Sequence, residues 1–180
     1  MKRLLLFGSL LALLSLLAIA CAHSKGPVAM AMLAPTTGSN ASGMVHFHQI
    51  ADGSVEVQVD LTAVPPGEHG FHLHETGDCG NNGNNAGGHF NPTAMPHASP
   101  DASSHHAGDW GNVTANANGE VHTSLMSHSI SVAPGTTSVV GRAVVLHGGR
   151  DDLTTQPSGN AGPRIACGVV TLMDSSMPMH

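Results

Sequence analysis

The chain has 180 residues, a formal net charge of −6, and only 10% charged and 3% aromatic side chains. That length serves one domain with a real core and not two comfortable ones. The acidic balance excludes nucleic acid as an expected partner, and 22 glycines with 11 prolines favour short strands and many turns over long helices, so the expected fold is all-β.

The first residues read as a targeting segment. Lys2 and Arg3 give a positive start, and an apolar run from Leu4 ends in Ala18-Ile19-Ala20-Cys21 with no basic stop-transfer flank after it. Residues 1–20 are therefore expected to be a signal peptide. The stretch from Leu17 to Cys21 resembles a bacterial lipobox, which makes Cys21 the expected acylated residue and membrane attachment through a lipid the expected tether. Loss of the leader removes two basic residues, so four basic residues would face twelve acidic ones, a net charge of −8. Of the three cysteines, Cys79 and Cys167 remain as an even pair in an oxidising compartment.

Residues 21–42 read as a linker followed by a first strand, with Val28 to Leu33 as the strand candidate. Val55 to Leu61 alternates apolar and polar residues strictly, as a strand with one wet and one buried face must. Gly43 to Ile50 alternates similarly, and Asp52-Gly53 between the two carries hairpin chemistry. Further strand candidates are Gly70 to His74, Asn112 to Ala117, Val121 to Met126, Val139 to His147 and Gly168 to Met173, with Asn118-Gly119 as a second hairpin turn. Two stretches, Glu75 to Gly111 and Gly148 to Ala166, show neither strand nor helix periodicity, and loops this long in a small domain are usually functional. Asn81 to Asn85 reads as a flexible loop, and residues 174–180 read as a disordered Met/His tail with groups suited to Cu(I).

Fourteen histidines are the strongest compositional feature, since imidazole is the commonest protein ligand for zinc and copper. His72 and His74 lie two apart on a strand candidate, so they face the same side and can meet one ion. His89, His97, His106 and Asp109 follow in the long loop, a donor set that suits tetrahedral zinc. His147 ends an apolar strand just before the second loop. His23, His46, His48, His69, His122 and His128 read as surface or packed residues.

The blocks GFHLHETGDC (70 to 79), GGHFNP (87 to 92), HHAGDWGNV (105 to 113), GRAVVLHGGRDDL (141 to 153) and GNAGPRIACGVV (159 to 170) resemble the copper/zinc superoxide dismutases. The resemblance covers nearly all of the chain after the leader. It implies an eight-stranded Greek-key β-barrel or sandwich with two long functional loops, occupying residues 43–173 with strand 28–33 in its core. It makes His72, His74, His89 and His147 copper ligands, and His89, His97, His106 and Asp109 zinc ligands, one of each metal per subunit with the His89 ring shared; His105 is the rival of His106, which the family spacing of a histidine three residues before the aspartate favours. Asp151 is the carboxylate that would link a copper histidine to a zinc histidine, with Asp152 as its neighbour and rival. Arg164 would orient the anionic substrate, superoxide, beside the copper, and Cys79 and Cys167 would form the disulfide. The implied activity is conversion of superoxide to oxygen and hydrogen peroxide, with His89 delivering a proton. Local positive charge from Arg164, joined by Arg150, would have to overcome the net negative charge. Subunit pairing varies within this family, so the resemblance leaves a homodimer open. The cell envelope is the expected location.

Overall fold

In the computed structural model, residues 26–173 are described, so the expected leader, Cys21 and the tail at 174–180 lie outside the described residues. Eight strands run antiparallel: β1 (Val28–Pro35), β2 (Ser42–Gln49), β3 (Val55–Thr62), β4 (Gly67–His74), β5 (Asp109–Ala115), β6 (Val121–Ser127), β7 (Ala143–His147) and β8 (Arg164–Leu172). Among the described residues the remaining regular element is a short 3-10 turn, Asn84–Ala86.

The strands form one sheet in the order β5-β4-β7-β8-β1-β2-β3-β6. Its two outer strands, β5 and β6, are consecutive in the chain and joined by a tight turn, so the sheet curls until its edges approach and the barrel is nearly closed. Connections β3 to β4 and β6 to β7 pass over intervening strands, which gives the expected Greek-key arrangement. The β2–β3 turn has Gly53 at φ +92°, a conformation that costs a side-chain-bearing residue far more than glycine.

Alternation explains what fills the barrel. Ala29, Ala31 and Leu33 of β1, Val45 and Phe47 of β2, and Val55, Val57, Val59 and Leu61 of β3 all point inward and are buried. Phe47 and Phe71 pack against Trp110 with ring centroids 5.9 and 5.5 Å apart, tilted as aromatic quadrupoles prefer. The expected strand at Val139 begins later, at Ala143. Val139 is fully buried, but Gly141 adopts φ +81° and breaks the run, so an apolar stretch that plugs the core had the look of a strand. β5 and β8 begin earlier than expected, at Asp109 and Arg164, because each long loop feeds its last polar residues directly into a ladder.

Asn81 to Asn85, expected to be flexible, is instead a wound and fastened segment. Asn81 and Asn82 take φ 52° and 55°, which asparagine tolerates better than most residues. The Asn82 side chain accepts hydrogen bonds from Thr37 N–H (3.3 Å) and Thr37 Oγ1 (2.8 Å). Just before it, Cys79 is bonded to Cys167 across 88 residues of sequence.

Candidate metal centre

β4 presents Phe71 and Leu73 to the core and His72 and His74 to the opposite side, beneath the long loops. The ladders are irregular at two points: between Gly70 and His72 against β5, and between Leu146 and His147 against β8. Such bulges re-aim side chains, and here each precedes a histidine of the site. The first loop is stitched onto β4 as Phe90 N–H donates to Leu73 O (2.8 Å), Leu73 N–H to Gly108 O (3.1 Å) and Gly108 N–H to Phe90 O (2.9 Å). This brings His89 alongside His74, with which it forms an isolated bridge.

Two groups of donors result, His72, His74, His89 and His147 in one and His89, His97, His106 and Asp109 in the other, all buried. Within each group the donor atoms lie within 4.8 Å of one another. His89 belongs to both.

Hydrogen bonding decides which ring nitrogen faces inward. In the first group His72 Nε2 is tied to Asp151 Oδ2 (2.8 Å), His74 Nδ1 donates to Gly87 O (2.9 Å), and His147 Nδ1 donates to Gly162 O (3.2 Å). That leaves His72 Nδ1 and the Nε2 atoms of His74, His89 and His147 facing one another, the His74 and His147 nitrogens 3.4 Å apart. In the second group the Nδ1 atoms of His89, His97 and His106 surround Asp109 Oδ1 at 2.7, 3.0 and 3.1 Å. Asp109 Oδ2 is held by the N–H groups of Ala98 (3.1 Å) and His106 (2.8 Å), which fixes the carboxylate toward the rings.

Burial drives the imidazoles of His72 and His147 down to about 4 and about 3, and holds His74 well below the usual range. They stay neutral at pH 7, with a lone pair free for a metal. Burial also pulls His97 down, but hydrogen bonds to Asp109 and Asp151 lift it to about 9. Against a burial penalty, imidazole and backbone hydrogen bonds hold both carboxyls below the ordinary range, so Asp109 and Asp151 are ionised.

The donor set fits metal ions on an independent ground. His72 Nδ1 and His89 Nε2 are fully buried and have no hydrogen-bond partner. An unpaired buried polar atom costs about 1–3 kcal/mol, and both of these aim into the first group, where a cation would satisfy them.

Asp151 and Asp152 have distinct surroundings. The Asp151 carboxylate spans from His72 Nε2 to His97 Nε2 (3.1 Å), whereas Asp152 accepts from the N–H of Thr154 and Thr155 and from Thr155 Oγ1. The approach to Asp151 is so close that a Cβ on Gly159 would fall 1.6 Å from its Oδ1 and 2.7 Å from His97 Nε2. Likewise His106 joins the site while the neighbouring His105 turns its Nδ1 to His106 O.

Two amide side chains that the sequence reading passed over hold this arrangement. Asn112 donates to Asp151 O (2.9 Å) and accepts from Asp151 N–H (2.7 Å), while Gln156 accepts from His97 N–H (2.9 Å) and donates to His97 O (2.7 Å). His69, read as a surface or packed residue, is buried and spans from His147 O (2.8 Å) to Pro65 O (2.7 Å). An open cleft is lined by His74, His89, His147 and Arg164, and the Arg164 guanidinium donates to the carbonyls of Gly83 and Gly87. Arg150 pairs instead with Glu68 at 2.9 Å, both exposed, so its charge is largely spent there.

An antiparallel barrel carrying two neighbouring groups of buried donors, each able to hold a metal ion and sharing one imidazole, fits a dinuclear metalloprotein. Residues 41–170 match the family described as copper/zinc superoxide dismutase. A protein of the Orgyia pseudotsugata multicapsid polyhedrosis virus, named "Putative superoxide dismutase [Cu-Zn]", is 40% identical over 137 residues, covering 72% of this chain and 90% of its own. The crystal structure of the clock protein EA4 is similar with a TM-score of 0.73 and 40% identity, over 81% of this chain and 94% of that one. The chain belongs to the copper/zinc superoxide dismutase family. It is an enzyme of superoxide dismutation whose metals are copper and zinc.

Proposed function

We propose that His72, His74, His89 and His147 hold copper, that His89, His97, His106 and Asp109 hold zinc, and that the enzyme disarms superoxide in a cell envelope. The observation that carries this reading is the His89 ring, which directs Nδ1 to the group around Asp109 and its unpartnered Nε2 to the other. Bound there, copper would supply the one-electron couple that superoxide disproportionation needs, and zinc, which has no redox chemistry, would supply fixed charge. His89 Nε2 holds a proton through one half of the cycle and gives it to the reduced oxygen in the other. Water entering the open cleft gives the second proton. The test is superoxide removal by the purified protein loaded with both metals, compared with the His147→Ala variant.

Arg164 presents positive charge at the cleft, and its two carbonyl contacts hold the guanidinium in place. Burial lowers the Arg164 pKa from the ordinary guanidinium range, which is high enough that the charge persists at pH 7. With Arg150 paired to Glu68, attraction of the anion falls chiefly to Arg164 and the metals. Arg164→Ala is expected to lower kcat/KM about 10- to 100-fold and to flatten its dependence on ionic strength, while Arg164→Lys recovers part of both. Steady-state rates over a salt series check this.

Asp151 orients His72 and His97 together, and a carboxylate is needed because both rings approach it through Nε2. An amide offers one acceptor oxygen and turns donors toward the second ring. Asp151→Asn is expected to weaken metal binding about 10- to 100-fold, read by chelator competition for each ion.

The envelope location rests on the sequence of residues 1–21 and on the disulfide, which suits an oxidising compartment. On this reading the protein is a bacterial lipoprotein: residues 1–20 are a cleaved signal peptide, 21–42 a linker and first strand, 43–173 the catalytic domain and 174–180 a tail. Cys21 carries the lipid. Mass spectrometry of the protein made in a bacterial host is expected to find a chain starting at an acylated Cys21; an unmodified amino terminus at another residue overturns the anchor. Superoxide is the substrate, and homodimer formation is compatible with the exposed apolar residues Val140, Val169 and Leu172.

A further inference from the structure

One side chain outside the two donor groups holds both segments from which His74 and His89 emerge. Arg142 stands just before β7, and the register places the next residue, Ala143, directly opposite His74. The guanidinium donates from Nε to Ser138 O (3.0 Å) and from Nη1 to Glu75 O (2.6 Å). Its Cζ lies 3.5 Å from the centre of the Phe90 ring. A cation over the negative face of an aromatic ring is attracted to it, more strongly where water is excluded, and Phe90 is buried.

Where these contacts fall gives them their meaning. Glu75 follows His74 in the chain, and Phe90 follows His89. The two segments run side by side, since Glu75 N–H donates to Gly88 O (3.0 Å) and His74 meets His89 in an isolated bridge. Arg142 joins them: its charge lies over the ring of one segment while an N–H reaches the carbonyl of the other. The chain beyond Glu75 is pressed onto the turn that launches Arg142, for a Cβ on Gly77 would fall 2.2 Å from Gly141 O. Arg142 is not among the residues that line the cleft, so its influence on the chemistry must pass through the two histidines.

We propose that Arg142 is a positioning residue, which sets the spacing of His74 and His89 by gripping the residue that follows each of them. The proposal rests on the reading that these two histidines hold copper. The same strand that begins beside Arg142 ends in His147, so one element supplies a donor at its far end and fixes two others at its start. A guanidinium suits the task because it is flat enough to cover a ring and carries N–H groups on separate edges, whereas a lysine is a point charge on a flexible stem.

The test compares the parent with Arg142→Lys, which keeps the charge and loses the flat, forked geometry, both loaded with copper and an excess of zinc. The electron paramagnetic resonance spectrum of Cu(II) in the variant is expected to differ from that of the parent, and a competing chelator is expected to show copper held about 10-fold less tightly. The rate of superoxide removal should fall while its dependence on ionic strength stays that of the parent, which separates Arg142 from Arg164. A parent-like spectrum and copper affinity would overturn the proposal even if Tm falls, because a clamp that serves only the fold moves stability alone. If the lysine variant does not fold, Arg142→Gln, which keeps N–H donors but places no charge over the ring, is read in the same way. Failure of the copper assignment shows separately, as full copper content in His147→Ala.

Discussion

His147→Ala is expected to lose its copper and to lower kcat/KM for superoxide at least about 100-fold, since removing a donor exceeds the 10- to 100-fold loss typical of its outer hydrogen-bond partners. The loss should fall chiefly on one metal, with zinc held less tightly but still bound when it is supplied in excess. His147 ends β7, where the ladder irregularity turns its ring out of the barrel wall, so the substitution leaves the apolar interior intact. Its Nε2 faces His74 Nε2 at 3.4 Å, whereas the donors around Asp109 come from His89, His97 and His106. Zinc content measured by mass spectrometry should therefore remain near one per chain while copper content collapses. Equal turnover by parent and variant would refute a copper role for His147.

Breaking the bridge with Cys79→Ser/Cys167→Ser should produce the largest loss of stability. The bond closes 88 residues of sequence, for which loop-closure entropy predicts about 4 to 5 kcal/mol. In a domain of this size each kcal/mol moves the midpoint by about 2–4 °C, so a fall of roughly 8–20 °C in Tm is expected by calorimetry. Activity should decline as well, for a local reason. Cys79 is followed by the segment that supplies the Gly83 and Gly87 carbonyls to Arg164, and Arg164 stands three residues before Cys167. Release of that segment lets the guanidinium leave the cleft. The parent protein treated with reductant should show the same two losses, and a variant with unchanged Tm would contradict the estimate.

The strands were legible in the sequence wherever one face met the core and the other met water. The alternation of Val55 to Leu61 reappears as β3 from Val55 to Thr62. It failed where a residue was buried without belonging to a ladder, as at Val139. The clustering of the six histidines and Asp109 followed from motif spacing, and the structure brings all seven together. The amide clamps of Asn112 and Gln156 were not legible, because a side chain that pairs with another segment's backbone leaves no periodic trace. Nor could spacing separate Asp151 from Asp152; which carboxylate reaches the rings depends on the path of the second loop and on the room left by Gly159. The winding at Asn81 and Asn82 was hidden for a similar reason, since asparagine is common in loose loops and in left-handed turns alike.

Asp151 has one oxygen on a ring of each group, and the His89 imidazole spans both. On the proposed assignment, filling either pocket would prepare its neighbour by fixing the ring that both would share. Such cooperation is reciprocal: the factor by which zinc tightens copper must equal the factor by which copper tightens zinc. An organism short of one ion would then hold the other less firmly, so scarcity of the inert metal would surface as leakage of the active one.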